Sequence, residues 1–309
     1  MNTNRFETFV DAILAIVMTV LVLKLSQPAA PSLEAIMDLN IMFGAYFISF
    51  LILYNNWYAN HNFFQQIEEI DNLTVWIYGI MIFILTLLPY FTIWLSRNLN
   101  SISSETAFGL LFLITHILNM MVTYTIKRIN PDINDSNTGR KNLILFNFPI
   151  LIILFGFILT YTVYTPGIYV CCLLSVLIWM GFNKISLENI QDTERFEALI
   201  DAILAIIITI IVLEIPLAQN GSWNALFELK YEFIIYALSF LIIFNFWNFN
   251  NNLFNIVNKI DNKIIWTMGI TLFVLSLLPY FTVFVANNFY SFFAQFVYGG
   301  IFIITAILS

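Results

Sequence analysis

Arg5-Phe6-Glu7-Thr8-Phe9-Val10-Asp11-Ala12-Ile13-Leu14-Ala15-Ile16 returns 190 residues later as Arg195-Phe196-Glu197-Ala198-Leu199-Ile200-Asp201-Ala202-Ile203-Leu204-Ala205-Ile206. The offset continues without a gap through Trp57/Trp247, Asp71/Asp261, Trp76/Trp266 and the run Leu87 to Thr92, repeated as Leu277 to Thr282. About 40 of roughly 92 aligned positions are identical, far more than two unrelated apolar segments share. Each copy places an arginine and an aspartate at the mouth of an otherwise apolar helix. Ionisable groups at membrane depth are costly and mark function or a partnered scaffold.

The chain has 309 residues, of which 60% are hydrophobic and 10% charged, and 32 are Phe. That composition belongs to a membrane protein. The first apolar stretch lacks a small-residue cleavage site and reads as a retained span. A net charge of −7 without a basic block excludes nucleic acid as a partner class. Cys171 and Cys172 are adjacent in an apolar run and read as packing residues. The sequence has no Ser/His/Asp set, no metal-spaced His/Cys cluster and no Gly-rich phosphate loop. The reading is therefore not an enzyme, with no catalytic residues, no metal and no cofactor.

Hydropathy predicts an all-α polytopic membrane protein of about ten transmembrane helices in two parallel repeats. The expected spans are 6–26, 35–59, 73–96, 104–127, 143–164 and 167–183 in the first copy. The second copy has 196–217, 227–249, 263–287 and 291–308. The repeats occupy residues 1–190, with six spans, and 191–309, with four. The second is expected to be incomplete, because Ser309 aligns with Asn119 inside the fourth span. Gln27 to Pro31 and Asn220-Gly221-Ser222 read as turns after the first spans, Asn130 to Gly139 as the longest polar loop, and Thr165-Pro166-Gly167 as a tight turn. Pro89 and Pro279 predict kinks in the third spans. A cytoplasmic N-terminus puts nine of the twelve Lys and Arg inside and leaves Lys24, Arg97 and Lys230 outside. An even number of spans per copy starts both copies on the same side, around an axis along the membrane normal.

These residues resemble the transmembrane protein 175 family of endolysosomal and prokaryotic potassium channels. Its hallmark is Arg-x-x-x-Phe-Ser-Asp at the start of the first span. The first copy keeps Arg5, Phe9 and Asp11, with Val10 in place of Ser; the second keeps Arg195 and Asp201. The following Ala-Ile-Leu-Ala-Ile, the Asn/Trp-rich ends of the second spans and the Leu-Leu-Pro of the third are also similar. The resemblance implies that the first span of each copy lines a central pore. Two copies per chain then imply a homodimer with four pore helices. It further implies an isoleucine constriction at Ile16 and Ile206, a potassium preference involving Thr19 and Thr209, and potassium as the permeant ion, with sodium and protons passing more weakly or by leak. The expected setting is a lipid bilayer, as a multi-pass protein of a prokaryotic plasma membrane.

The residues support such a throat on their own terms. Ile16, Val20 and Leu23 share a helical face, as do Ile206, Ile210 and Leu213. Four such faces make a narrow apolar constriction that gates by dewetting, and no Thr-Val-Gly-Tyr-Gly carbonyl filter is present. Glu7, Asp11, Glu197 and Asp201, if they face the pore, concentrate cations at its mouth. The plain structural reading makes the Arg/Asp pairs ion pairs that fix the first spans, the Ile/Leu stripe ordinary helix packing, and His61 an interface residue. The Trp residues, including Trp57, Trp94, Trp223 and Trp247, read as an interfacial belt. Two other functions stay open at this stage: a cation- or proton-coupled secondary transporter using Asp11 and Asp201, and a non-conducting structural membrane protein.

Overall fold

A computed structural model describes residues 3–64, 70–129, 139–186, 191–257 and 259–308. Its helices are α1 (Thr3–Val20), α2 (Leu33–Met37), α3 (Asn40–Phe64), α4 (Asn72–Thr86), α5 (Leu88–Arg97), α6 (Ile102–Ile129), α7 (Gly139–Thr162) and α8 (Gly167–Ser186). They continue with α9 (Glu194–Leu213), α10 (Trp223–Glu228), α11 (Lys230–Phe254), α12 (Asn262–Ser276), α13 (Leu278–Asn287) and α14 (Phe292–Leu308). The strands β1 (Gln191–Asp192) and β2 (Lys259–Ile260) pair antiparallel. The other regular elements among the described residues are helices, since a backbone in lipid must satisfy its own hydrogen bonds.

Six described segments are long and apolar enough to cross a membrane: 5–24, 72–97, 102–126, 194–213, 230–254 and 262–287. Phe148–Thr162, Gly167–Ile178 and Phe292–Leu308 are shorter apolar helices. The remaining long helix, α3, is diluted by Asn55, Asn56, Asn60 and His61. These elements make an all-α, multi-pass membrane protein.

The element ends correct the expected spans. The first helix stops at Val20 and tightens into a 3₁₀ turn over Leu21–Lys24. The expected second spans begin as short separate helices, α2 and α10. Ser32 Oγ accepts from Ala35 N at 3.3 Å and Ser222 Oγ from Ala225 N at 3.2 Å, capping both. The third spans run on as single crossing segments but are interrupted for one residue at Leu87 and Leu277, which keep helical φ and ψ, with the proline in the first turn of α5 and α13, where a missing N–H costs nothing. Thr165 and Pro166 form the expected turn and Gly167 opens α8. The polar loop at 130–138 lies outside the described residues.

The chain forms two compact units, residues 1–17 with 44–187 and residues 18–43 with 188–309. This division differs from that of the sequence repeats. In the first unit, α6 packs against α4, α5, α7 and α8, and α7 and α8 form a close pair. The closeness comes from Gly156: a Cβ there would stand 2.8 Å from the Cys171 Cβ and 3.2 Å from the Ile168 Cα. Both cysteines are buried and free. Glu105 on α6 accepts from Tyr169 N at 2.8 Å, so its carboxylate sits at the N-terminus of α8, where the helix dipole favours negative charge.

In the second unit, α9 packs against α11, α12 and α13, and α14 against α12 and α13. Residues 18–43 belong here. The Tyr280 hydroxyl donates to Ser26 O at 3.0 Å, and Gln27 Nε2 donates to Tyr280 O at 3.2 Å. Phe43 lies edge-on to Tyr280 at 5.4 Å and stacks with Phe281 at 6.4 Å.

Candidate functional site: the two first spans

The exposed face of α1 carries Arg5, Phe9, Ala12 and Ile16, spaced four, three and four residues apart as one helical stripe requires. Ile16 is 47% exposed, whereas Leu14, Ala15, Val17 and Met18 are buried. Val20 and Leu23 extend the stripe half-buried. Asp11 and Thr19 lie off it; Asp11 is nearly buried and Thr19 fully so.

On α9 the exposed stripe is Glu194, Ala198, Asp201, Ala205, Thr209 and Val212. In repeat register Thr8 and Ala198 are both exposed, while Glu194, Asp201 and Ala205 fall one residue earlier than Arg5, Ala12 and Ile16 on α1, a rotation of about 100° at 3.6 residues per turn. Thr209 is therefore on the stripe, donating to Ile206 O at 2.8 Å, whereas Thr19 is not. Ile206 borders the stripe half-buried, Ile210 is buried, and Leu213 is 77% exposed. Within one chain the two copies thus present different members of the same candidate set.

The acidic residue of the second motif has a definite partner. Trp247 Nε1 on α11 donates to Asp201 Oδ1 at 2.8 Å, which anchors α9 to α11 and satisfies an intramembrane carboxylate. Arg195 is half-buried and Arg5 exposed.

A further duplicated feature escaped the motif reading. On α3, Tyr46, Phe50, Tyr54 and Trp57 form a ring ladder with centroid separations of 6.5, 6.3 and 5.7 Å. On α11, Tyr236, Phe240, Phe244 and Trp247 repeat it at 6.5, 6.1 and 5.6 Å. Aromatics at steps of four, four and three in both copies were the available signal. Trp57 is fully buried in its ladder, stacked on His61 at 5.0 Å, and so belongs to no interfacial belt. Trp223, by contrast, is exposed. No group of three or more potential metal ligands occurs among the described residues.

A protein named as a potassium channel from Chryseobacterium sp. (strain P1-3) is 38% identical over 94 residues, covering 30% of this chain and 49% of that protein. Potassium channels from Chamaesiphon minutus and Streptomyces collinus are 29% identical over 127 residues and 28% over 101. These matches cover 38% and 31% of this chain. The chain spans 63% and 49% of those two relatives' lengths. The family profile described as endosomal/lysosomal potassium channel TMEM175 matches residues 5–89 and again 195–279, together more than half of the chain. The doubled match, on the repeat that carries both stripes, makes this chain a member of the TMEM175 family.

Proposed function

We propose that this chain is a potassium-preferring cation channel whose throat is apolar and has no carbonyl filter. In this reading the repeats at 1–190 and 191–309 each contribute a first span to the pore. Two chains supply four pore helices, and the N-terminus lies in the cytoplasm of a prokaryote. Ile16 and Ile206 form the constriction, flanked by Val20, Ile210, Leu23 and Leu213. Thr19 and Thr209 bias the throat toward potassium, and Arg5, Phe9, Asp11, Arg195 and Asp201 hold the first spans in place.

The observation that carries this reading is the accessible stripe on α1, which runs from Arg5 through Phe9 and Ala12 to Ile16. An accessible apolar stripe with an ionisable mouth suits a pore wall better than a lipid face, because charge at that depth needs water or a partner. An apolar ring passes an ion only when it widens enough to keep part of the hydration shell, so discrimination between potassium and sodium is modest.

Reversal potentials across a reconstituted bilayer, with potassium on one side and sodium on the other, test the assignment. The expected result is a cation-selective, potassium-favouring reversal with unitary steps far above carrier turnover. Ile16→Asn with Ile206→Asn wets the throat and raises leak. Thr19→Val with Thr209→Val lowers the potassium-to-sodium ratio. A chloride-selective reversal or turnover at carrier rates refutes the channel reading; an unchanged leak in the Asn variant moves the constriction elsewhere.

A further inference from the structure

Tyr280 and its repeat counterpart Tyr90 share a sequence context, Leu-Leu-Pro-Tyr-Phe-Thr, yet Tyr280 is 3% exposed and Tyr90 68%. What hides Tyr280 is the segment of the first copy described above: the Ser26 carbonyl, the Gln27 side chain and the Phe43 ring. The second copy carries the equivalent segment, with Phe233 in the place of Phe43, and Phe233 is 43% exposed. Both halves of one contact are therefore duplicated, and the second pair, Tyr90 and Phe233, is exposed.

Resting on the two-chain reading above, we infer that α5 around Tyr90 is the docking surface for residues 214–233 of a second copy of this chain. The chemistry transfers. Ser26 contributes only a main-chain carbonyl, and Pro216 retains one, so the Tyr90 hydroxyl keeps an acceptor. Phe233 offers the same ring as Phe43, and Leu217 replaces Gln27 with an exposed apolar side chain in place of one hydrogen bond.

Charge supports this occupant. The α5 helix ends in Arg97, where α13 ends in neutral Asn287. The 214–233 segment carries Glu214 and Glu232, where the first-copy segment has Lys24 and Met42, and both glutamates line a groove of about 200 Å³ beside Asn287 of their own repeat. Arg97 and Glu214 are exposed, and Glu232 Oε2 has no hydrogen-bond partner among the described residues. Opposite charges thus differ between the copies together, as facing surfaces do. In a twofold dimer the contact occurs twice, α5 of each chain against residues 214–233 of the other, as an isologous interface requires.

Cysteine pairs read this directly in full-length chains carrying Cys171→Ala and Cys172→Ala. A chain with Tyr90→Cys and Phe233→Cys, treated with a short bismaleimide in native detergent, is expected to run mostly at twice the chain mass on a denaturing gel. A chain with Phe43→Cys and Tyr280→Cys is expected to stay at single mass with both thiols consumed by one linker. Mixing a Tyr90→Cys chain with a differently tagged Phe233→Cys chain should yield a cross-linked species bearing both tags. If native mass shows a dimer and the 43/280 pair bridges while the 90/233 pair does not, the docking surface is wrong and the two-chain reading survives. If native mass shows only monomer, the two-chain reading falls and takes this surface with it. A 90/233 bridge at single mass also overturns the inference.

Discussion

The surfaces that α3 and α6 turn toward α8 in the first copy have exact sequence counterparts on α11 and α14 in the second. Gly44 on α3 has the Tyr169 hydroxyl where a Cβ would stand, and its counterpart Ile234 is exposed. Gly109 on α6 abuts Ile168, and its counterpart Gly299 has nothing within 4 Å of a Cβ. Glu105 accepts from the first turn of α8, and Gln295 bonds instead to the nearby Phe289 carbonyl at 2.6 Å. His116, Asn55 and Asn56 line a small cavity of about 30 Å³, room for one water. The matching place in the second copy, by Asn245, Phe246 and Ala306, is an open groove of about 440 Å³. The lesson is that repeat register does not fix the neighbour: Gly44 and Glu105, which meet α8, stand opposite Ile234 and Gln295, while the glycine at 109 is kept at 299 without a close contact among the described residues.

Exchanging residues between the copies is the severest way to break this comparison. Gly44→Ile installs the second copy's residue where Tyr169 must pass. Overpacking of that kind costs about 1–3 kcal/mol and sometimes more, so the expected loss lies near 3 kcal/mol in thermal unfolding followed in detergent. The reverse change, Ile234→Gly, meets no facing helix among the described residues. It should cost only about 0.5–1 kcal/mol, chiefly through helix propensity. Equal losses at the two sites would mean that the α8 contact does not set the cost.

A second exchange probes the buried carboxylate. Glu105→Ala removes the acceptor of Tyr169 N and leaves that donor at a packed helix end, a penalty of about 1–3 kcal/mol. Gln295→Ala frees only a carbonyl in exposed surroundings and should stay within about 0.5 kcal/mol. The same melting assay decides between them, and a neutral Glu105→Ala would show that α8 finds its cap elsewhere.

Hydropathy alone marked nearly every long helix, because twenty-odd apolar residues in lipid have few options but to be helical. The one-residue interruptions at Leu87 and Leu277 were signalled by the prolines two residues on, which read as kinks. What the pattern could not reveal was long-range. Nothing in Ser26, Gln27 or Phe43 says that they cover Tyr280, some 240 to 250 residues away. Nor does an identical Ala-Ile-Leu-Ala-Ile reveal that the accessible stripe of α9 is rotated by one residue relative to α1. Identical side chains carry no information about which neighbour arrives. The aromatic ladders, by contrast, were legible in the doubled spacing of four, four and three.

The smallest difference between the copies lies at the caps of α4 and α12, outside the spans. Asp71 Oδ1 accepts from Thr74 N at 2.9 Å and from the Thr74 hydroxyl at 2.5 Å, with Arg128 Nη2 3.4 Å from the other oxygen. These donors, the hydroxyl foremost, hold the Asp71 carboxyl below the usual aspartate range. Asp261 makes the same backbone cap, with Ile264 N at 2.9 Å, but position 264 has no hydroxyl to add. Asp71→Ala should therefore cost about 1 kcal/mol, and Asp261→Ala nearer the low end of the capping range, about 0.5 kcal/mol. Because the folded state depresses the Asp71 pKa, its contribution is fully present above the ordinary carboxylate pKa of about 3.9 and is lost as pH falls through the lowered value. Asp71→Asn keeps the cap geometry and gives up only an exposed ion pair, so it should cost no more than about 0.5 kcal/mol and abolish that pH dependence. Melting temperatures measured from pH 7 down to pH 3 for the two alanine variants and the asparagine variant check all three values. An Asp261→Ala loss larger than that of Asp71→Ala would remove the Thr74 hydroxyl as the source of the difference.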